Sequence, residues 1–340
     1  MRLLPVRSGH VECLAYSPDG SHLAASVNPW GRVWLWDLRA GEVGLLKEKD
    51  RPFRGAAEVC CPLAYSPTGD LLAAGGERQV SLRENDNGFQ KYFASAWYHQ
   101  SRCLAFAPDG HTLVSAGVNQ DEAGSATAVI LWDAHTGRKR EFPLSFPART
   151  QALAVAPDAS LIFWCEPPAP RGPVYLTLWH VPGRQRLARL SLNAPPACAA
   201  FSPTGRRLAV AVESSVLLYE IGHVLDFLGS ALGANPWATL TLPFWWKRSA
   251  SRLVPIAAPQ VLDGHHERVL ALAFTPDGGT LLSGGRDRTV RCWDLASMRQ
   301  REAWTWPVGV VYSLAVAPDG LTAAVGGNAG RTVVWDLAWY

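Results

Sequence analysis

The chain is short of charge. Asp, Glu, Lys and Arg make up 18% of its 340 residues, and 32 positive side chains against 29 negative leave a formal net charge of +3. So small a surplus gives no phosphate-tracking field and no acidic tail, so nucleic-acid binding is a secondary expectation. Lysine is scarce as well: arginine provides 27 of the 32 positive residues, a bias of GC-rich genomes rather than of function. No apolar run approaches the roughly 18 residues that cross a bilayer as a helix. The opening Met1-Arg2-Leu3-Leu4-Pro5-Val6-Arg7 lacks the apolar centre of a secretory signal, and a cytoplasmic protein is expected. The seven cysteines are an odd number without a CxxC pair, which suggests neither a disulfide framework nor a zinc ribbon. HExxH, GxSxG, Walker and strand-linked GxGxxG motifs are all missing. The nine histidines show no metal-ligand spacing. No catalytic residue, metal or cofactor is therefore expected, and the chain is read as a non-enzyme.

Hydrophobic residues and turn formers are plentiful. At 48% hydrophobic and a mean hydropathy of +0.00 the chain can bury a large core, while 30 glycines and 25 prolines argue against a helical protein. One string recurs seven times: Ser17-Pro18-Asp19-Gly20, Ser66-Pro67-Thr68-Gly69, Ala107-Pro108-Asp109-Gly110, Ala156-Pro157-Asp158-Ala159, Ser202-Pro203-Thr204-Gly205, Thr275-Pro276-Asp277-Gly278 and Ala317-Pro318-Asp319-Gly320. Each has type I turn chemistry, with Pro fixing φ at the second position and, in all but the fourth copy, Gly closing the turn. A short apolar strand precedes each turn (Cys13-Leu14-Ala15-Tyr16, Cys103-Leu104-Ala105-Phe106) and a second follows it (Leu71-Leu72-Ala73-Ala74). A third ends in Trp-Asp at 36–37, 132–133, 293–294 and 335–336. That pair is worn to Arg83-Glu84, Trp179-His180 and Tyr219-Glu220 in the other copies.

This pattern resembles the WD-repeat β-propeller family, and the resemblance covers nearly the whole chain. It implies an all-β fold: a single propeller over residues 1–340, with seven four-stranded antiparallel blades. Residues 222–253 would be an insertion after the third strand of blade five. Few residues follow Trp335-Asp336, whereas Arg2-Leu3-Leu4-Pro5-Val6 precedes the first blade. In the family such an N-terminal strand completes the last blade and closes the ring. The worn blades and the Arg/Ala/Pro-rich composition look bacterial.

The repeat accounts for two tempting constellations. Cys13, Cys103 and Cys198 share one repeat position, where Pro62, Ala152, Ala271 and Ser313 stand in the other copies. A small residue is needed there between blades, and different blades keep the thiols from converging on a metal. The family also has a structural hydrogen-bond relay, which only blade six matches fully, through His265, Ser283, Asp287 and Trp293. Its Ser-His-Asp content imitates a hydrolase triad, but the resemblance makes it buried and structural.

Function is expected in the departures from the repeat. Four loops on consecutive blades share the face that the family calls the top. They are Asn28-Pro29-Trp30-Gly31 with Trp30 at its tip, residues 47–54 with Arg51, Phe53 and Arg54, residues 118–124 with Asn119, Asp121 and Glu122, and residues 166–172 with Glu166 and Arg171. Aromatic and arginine side chains on loops over a rigid ring are typical anchors. The 222–253 insertion carries Trp237 and the run Phe244-Trp245-Trp246-Lys247-Arg248. It is expected on the opposite face, as a plug, a docking element or a membrane-surface contact. The resulting expectation is a non-catalytic scaffold or regulatory subunit, monomeric within a hetero-complex, binding a protein or peptide. A nucleic-acid-associated reader is the alternative, and a propeller hydrolase comes after that.

Overall fold

The computed structural model describes residues 1–6, 9–28, 32–39, 44–45, 62–84, 90–121, 124–146, 153–166, 173–181, 185–226 and 254–337. The structure is a seven-bladed β-propeller. The innermost strands, one per blade, are His10–Tyr16, Leu63–Tyr65, the second half of Gln90–Phe106, Leu153–Val155, Pro196–Phe201, Val269–Phe274 and Val311–Val316. Each touches the first strand of the next blade, and the last touches the first, so the contacts form a closed ring. Blades one, four, five and six are separate four-stranded antiparallel sheets. In the seventh, Arg2–Pro5 pairs with Arg331–Asp336 in the register Arg2↔Val334 to Pro5↔Arg331 and supplies the fourth strand. The expected closure by the N-terminal strand is present.

Seven hydrophobic clusters among the described residues correspond to the seven seams between blades. The recurring Leu-Ala-aromatic string explains them through the two-residue period of a strand. Leu14 and Tyr16, Leu104 and Phe106, and Leu272 and Phe274 enter the seam with the preceding blade. Ala15, Ala200, Ala273 and Ala315, together with Cys13, Cys103 and Cys198, face the following blade. Large side chains of one blade thus fill space left by small side chains of the blade before it. Burial pushes the Cys103 and Cys198 thiols up to about 12 and raises that of Cys13, so all three are unreactive at neutral pH.

The turns make a second set of seam contacts at the bottom. Each turn glycine has a left-handed φ, and Gly20, Gly69, Gly278 and Gly320 lie against the turn proline of the preceding blade. A Cβ on Gly69 would sit 3.3 Å from Pro18 Cδ, one on Gly278 3.8 Å from Pro203 Cδ and one on Gly320 3.6 Å from Pro276 Cδ. In the fourth copy Ala159 takes the same left-handed φ of 55° and is fully buried in the seam between blades three and four.

Two regions depart from the expected regularity. Blades two and three are not separate sheets but one seven-stranded sheet. The 17-residue strand Gln90–Phe106 is the outer strand of blade two, where Ser81 pairs with Phe93, and then the inner strand of blade three, where Leu113 pairs with Phe106. Between Gly88 and Pro108 there is no Gly, Pro, Asn or Asp to break the strand. Residues 118–121 and 124, expected within a loop, instead prolong a hairpin. Thr112–Asp121 and Gly124–Asp133 remain paired out to Asp121↔Gly124.

The roots of the blade-five insertion lie between the third strand Ser215–Glu220 and the fourth strand Gln260–Asp263. Residues 222–226 are helical. Val224 is buried in the seam of blades four and five, with Leu225, Val254 and Ile256 packed on the same cluster. Val254 N–H donates to Leu187 O at 2.8 Å, and Arg206 pairs with Asp226 at 2.7 Å. The roots therefore fold back on blades four and five. Trp237, Phe244, Trp245, Trp246, Lys247 and Arg248 fall outside the described residues.

Candidate partner-binding rim

The inner strands carry a shared irregularity at their top ends. In blade one Val11 pairs with Val27 and Cys13 with Ser26, so Glu12 is an extra residue without a cross-strand partner. The same bulge isolates Arg102 in blade three, Ala197 in blade five, Leu270 in blade six and Tyr312 in blade seven. A bulge bends its strand and re-aims one side chain. The residue before it is buried in each case (Val11, Ser101, Pro196, Val269 and Val311), whereas Arg102 is exposed and the other bulge residues are half-buried. Lying where the inner strands begin, opposite the proline turns, these side chains surround the top mouth of the central channel.

Glycines of the second strands hold this rim in place. A Cβ on Gly284 would come 2.3 Å from Val311 Cγ1, one on Gly326 2.3 Å from Val11 Cγ1 and one on Gly75 2.6 Å from Ser101 Cβ. Each missing Cβ leaves the space that the pre-bulge residue of the next blade occupies. Further links cross the seams. Val269 N–H donates to Glu213 O at 2.8 Å, Arg268 donates to Pro195 O at 3.4 Å, and the ring of His10 stacks with that of Tyr312 at 6.0 Å between centroids. The rim mixes acidic Glu12, basic Arg102, aliphatic Leu270 and aromatic Tyr312 on a rigid support.

Sequence reasoning missed these five residues, although a signal was present. Val11, Leu14 and Tyr16 all enter one seam. Their spacing of three and then two breaks the strict alternation of a flat strand, and an extra residue is the only way to keep all three on one face.

The side chains at which binding was expected are distributed otherwise. Asn119 pairs with Ala126 and His99 within the prolonged hairpin, and Asp121 pairs with Gly124 at its end. Glu166 ends strand Leu161–Glu166, opposite Tyr175. Trp30, Arg51, Phe53, Arg54, Glu122 and Arg171 lie outside the described residues.

Below the rim, blade six holds a buried polar chain. Trp293 Nε1–H donates to Ser283 Oγ at 2.8 Å, Ser283 lies 2.7 Å from His265 Nε2, and His265 Nδ1 lies 2.8 Å from Asp287 Oδ2. Every bond is satisfied when Ser283 donates to Nε2 and Nδ1–H donates to the carboxylate. Burial lowers the pKa of His265 against the pull of Asp287. Desolvation raises that of Asp287, but hydrogen bonds from His265 and Thr289 outweigh it and hold the carboxyl below its usual range. A neutral imidazole beside a carboxylate results. Ser283 is fully buried and its hydroxyl already accepts from an indole, so the arrangement offers no nucleophile to a substrate. Blade three keeps half of the chain, with Trp132 Nε1–H donating to Ser115 Oγ at 2.7 Å. Among the described residues no group of three or more His, Cys, Asp or Glu is placed to hold a metal, and no helix is long and apolar enough to cross a membrane.

Comparison with known proteins agrees with this architecture. The family model described as WD domain, G-beta repeat matches residues 2–37 and 258–294. WD repeat-containing protein 18 of Homo sapiens is 25% identical over 308 residues, covering 82% of this chain and 59% of that protein. Ribosome biogenesis protein ytm1 of Neurospora crassa is 27% identical over 319 residues, 86% of this chain and 55% of its own length. Nuclear distribution protein nudF 2 of Penicillium rubens is 25% identical over 312 residues, 87% of this chain and 58% of its own length. The chain thus spans little more than half the length of these relatives. The sevenfold turn and the closed ring of blades make the chain a seven-bladed β-propeller, and its repeats are similar to those of WD-repeat proteins.

Proposed function

We propose that the protein is a non-catalytic interaction subunit that binds a protein or peptide partner across the top of the propeller. The observation that carries this reading is the set of bulges: one backbone device, present in five blades, presents five chemically different side chains around one opening. A neighbouring packing position keeps its residue type, the alanine before the last residue of the inner strands in all seven blades. The rim positions do not. A rigid support with an exposed arginine, a tyrosine and a leucine has the chemistry of an interface centre. The loops with Trp30, Arg51, Phe53, Arg54, Glu122, Glu166 and Arg171 would extend it over blades one to four. A role within a larger assembly accords with relatives named for ribosome biogenesis and nuclear distribution.

The test is affinity purification of the tagged chain from its native cells, in three forms. These are the unaltered chain, a rim variant with Arg102→Glu and Tyr312→Ala, and a bottom-face control with Leu321→Glu, which alters a residue 64% exposed beside a proline turn. Co-eluting chains are expected with the unaltered protein and the control and absent with the rim variant. Undiminished recovery of every chain with a folded rim variant would overturn the reading.

A further inference from the structure

We infer that the bottom of blade three is a binding site for a late first-row divalent cation, with His111 and His135 as its two protein ligands. The two Nδ1 atoms lie 3.1 Å apart, closer than the ring centroids at 4.4 Å, so the imidazoles meet through their nitrogen edges. Two nitrogens at a metal–ligand distance of about 2.0–2.1 Å and that separation subtend roughly 95–102°, between octahedral and tetrahedral angles. Imidazole nitrogen suits Zn²⁺, Ni²⁺ and Cu²⁺, and Cu²⁺ binds most tightly at such a site.

The fold imposes this geometry. His111 follows the proline turn and His135 follows the Trp-Asp pair, on either side of a backbone link at the base that recurs in blades one, four, five, six and seven, as in Leu38 N–H to Ser21 O and Ile221 N–H to Arg206 O. In blade one the second of these positions is Arg39, which reaches across to Asp19 at 2.7 Å, and in blade five Arg206 lies over Gly222. Only blade three has imidazole at both positions. Its two turns are fixed in the same way. His111 N–H donates to Asp109 Oδ1 at 2.8 Å, His135 N–H donates to Asp133 Oδ1 at 3.1 Å, and Ala134 N–H donates to His111 O at 2.7 Å, which ties one turn to the other. The ligands are thus preorganised and flanked by two carboxylates. Without metal, one Nδ1–H is shared with the other ring. A cation takes the place of that proton, which moves to Nε2 of the same ring. Both residues are exposed, so water completes the coordination and leaves positions open to a further ligand.

The experiment is titration of the full chain, purified without a polyhistidine tag, with Cu²⁺, Ni²⁺ and Zn²⁺ at neutral pH. It is followed by calorimetry and, for Cu²⁺, by electron paramagnetic resonance. One site is expected with two nitrogen ligands in the spectrum and an affinity order led by Cu²⁺. His111→Gln and His135→Gln, both on the surface, should each weaken it roughly 10-fold or more, by analogy with the loss of a metal site's supporting groups, and leave a single nitrogen. The metal should also raise the melting temperature of the unaltered chain and not of the variants. Equal binding by either variant, or no binding at millimolar cation, would overturn the inference. His266→Gln is the control for the seven other histidines and should change nothing.

Discussion

Trp36, Trp132, Trp293 and Trp335 stand at one register position in four blades, yet only two of them have a hydrogen-bond acceptor. Each lies across from a second-strand residue (Leu23, Leu113, Leu281 and Ala323), and the position two further on decides the outcome. Ser115 and Ser283 accept the indole N–H in blades three and six. Ala25 and Val325 have no oxygen to offer, and the Nε1 atoms of Trp36 and Trp335 are buried without a partner. Ala25→Ser should therefore stabilise the protein by about 1 kcal/mol, the usual net worth of such a bond, and Ser115→Ala should cost about 1–3 kcal/mol by orphaning Trp132 as the third of these four indoles. Equilibrium urea unfolding reads both. His265 gives a pH signature. Its folded pKa lies below the ordinary 6.5, so the unfolded chain takes up the proton first as the pH falls. Stability is fully present above that value and is lost between it and the lower folded pKa. Comparing unfolding at neutral pH and at about pH 5, above the titration of ordinary carboxylates, the unaltered chain should lose more stability than His265→Gln.

At the scale of the element, the two-strand seam is the unit that the sequence encodes most openly. The proline turn, the Leu-Ala-aromatic string and the Trp-Asp ending each repeat seven times or leave a visible relic, and the blade count and the ring follow from them. What escaped attention were features that do not repeat as strings. The strand shared by blades two and three is marked by a lack of turn formers, and the prolonged hairpin of blade three is marked by nothing, because Asn119, Asp121 and Gly124 are residue types that strands usually avoid. The bulges are marked by a broken alternation. The glycine locks behind them give a prediction. Gly326→Ala would drive a methyl group to within 2.3 Å of Val11 Cγ1 and should cost about 1–3 kcal/mol, the usual penalty of overpacking. Val11→Ala in the same chain removes the nearest clashing atom and leaves Val11 Cβ at 2.7 Å and Ser313 Oγ at 2.9 Å, so it relieves part of the clash. The double variant should therefore be more stable than the sum of the two single losses allows, and a double-mutant cycle measures that coupling. Strict additivity would show that the glycine serves some other purpose.

For the whole molecule, closure is the decisive event, because the facing sides of blades one and seven are covered only when the last seam is made. That seam is built from opposite ends of the chain. Leu4 and Val6 enter one cluster with Val11, Leu14 and Tyr16 of blade one and with Ala317, Ala324 and Val334 of blade seven. Arg2–Pro5 supplies the backbone partners of Arg331–Asp336, and Arg2 also donates to Leu38 O at 2.9 Å, joining the closing strand to blade one. A residue three positions from Met1 would ordinarily fray and tolerate any change. Leu4 is instead 1% exposed. Leu4→Ala should accordingly cost about 2–5 kcal/mol, as a deep core truncation does. Removal of residues 1–8 should lower the melting temperature further still, because it takes away the strand pairing together with the side chains. Leu3→Ala, on the same strand but 43% exposed, should do little. If Leu4→Ala and Leu3→Ala melt alike, the ring is not held shut by this strand, and the other six seams must carry its stability by themselves.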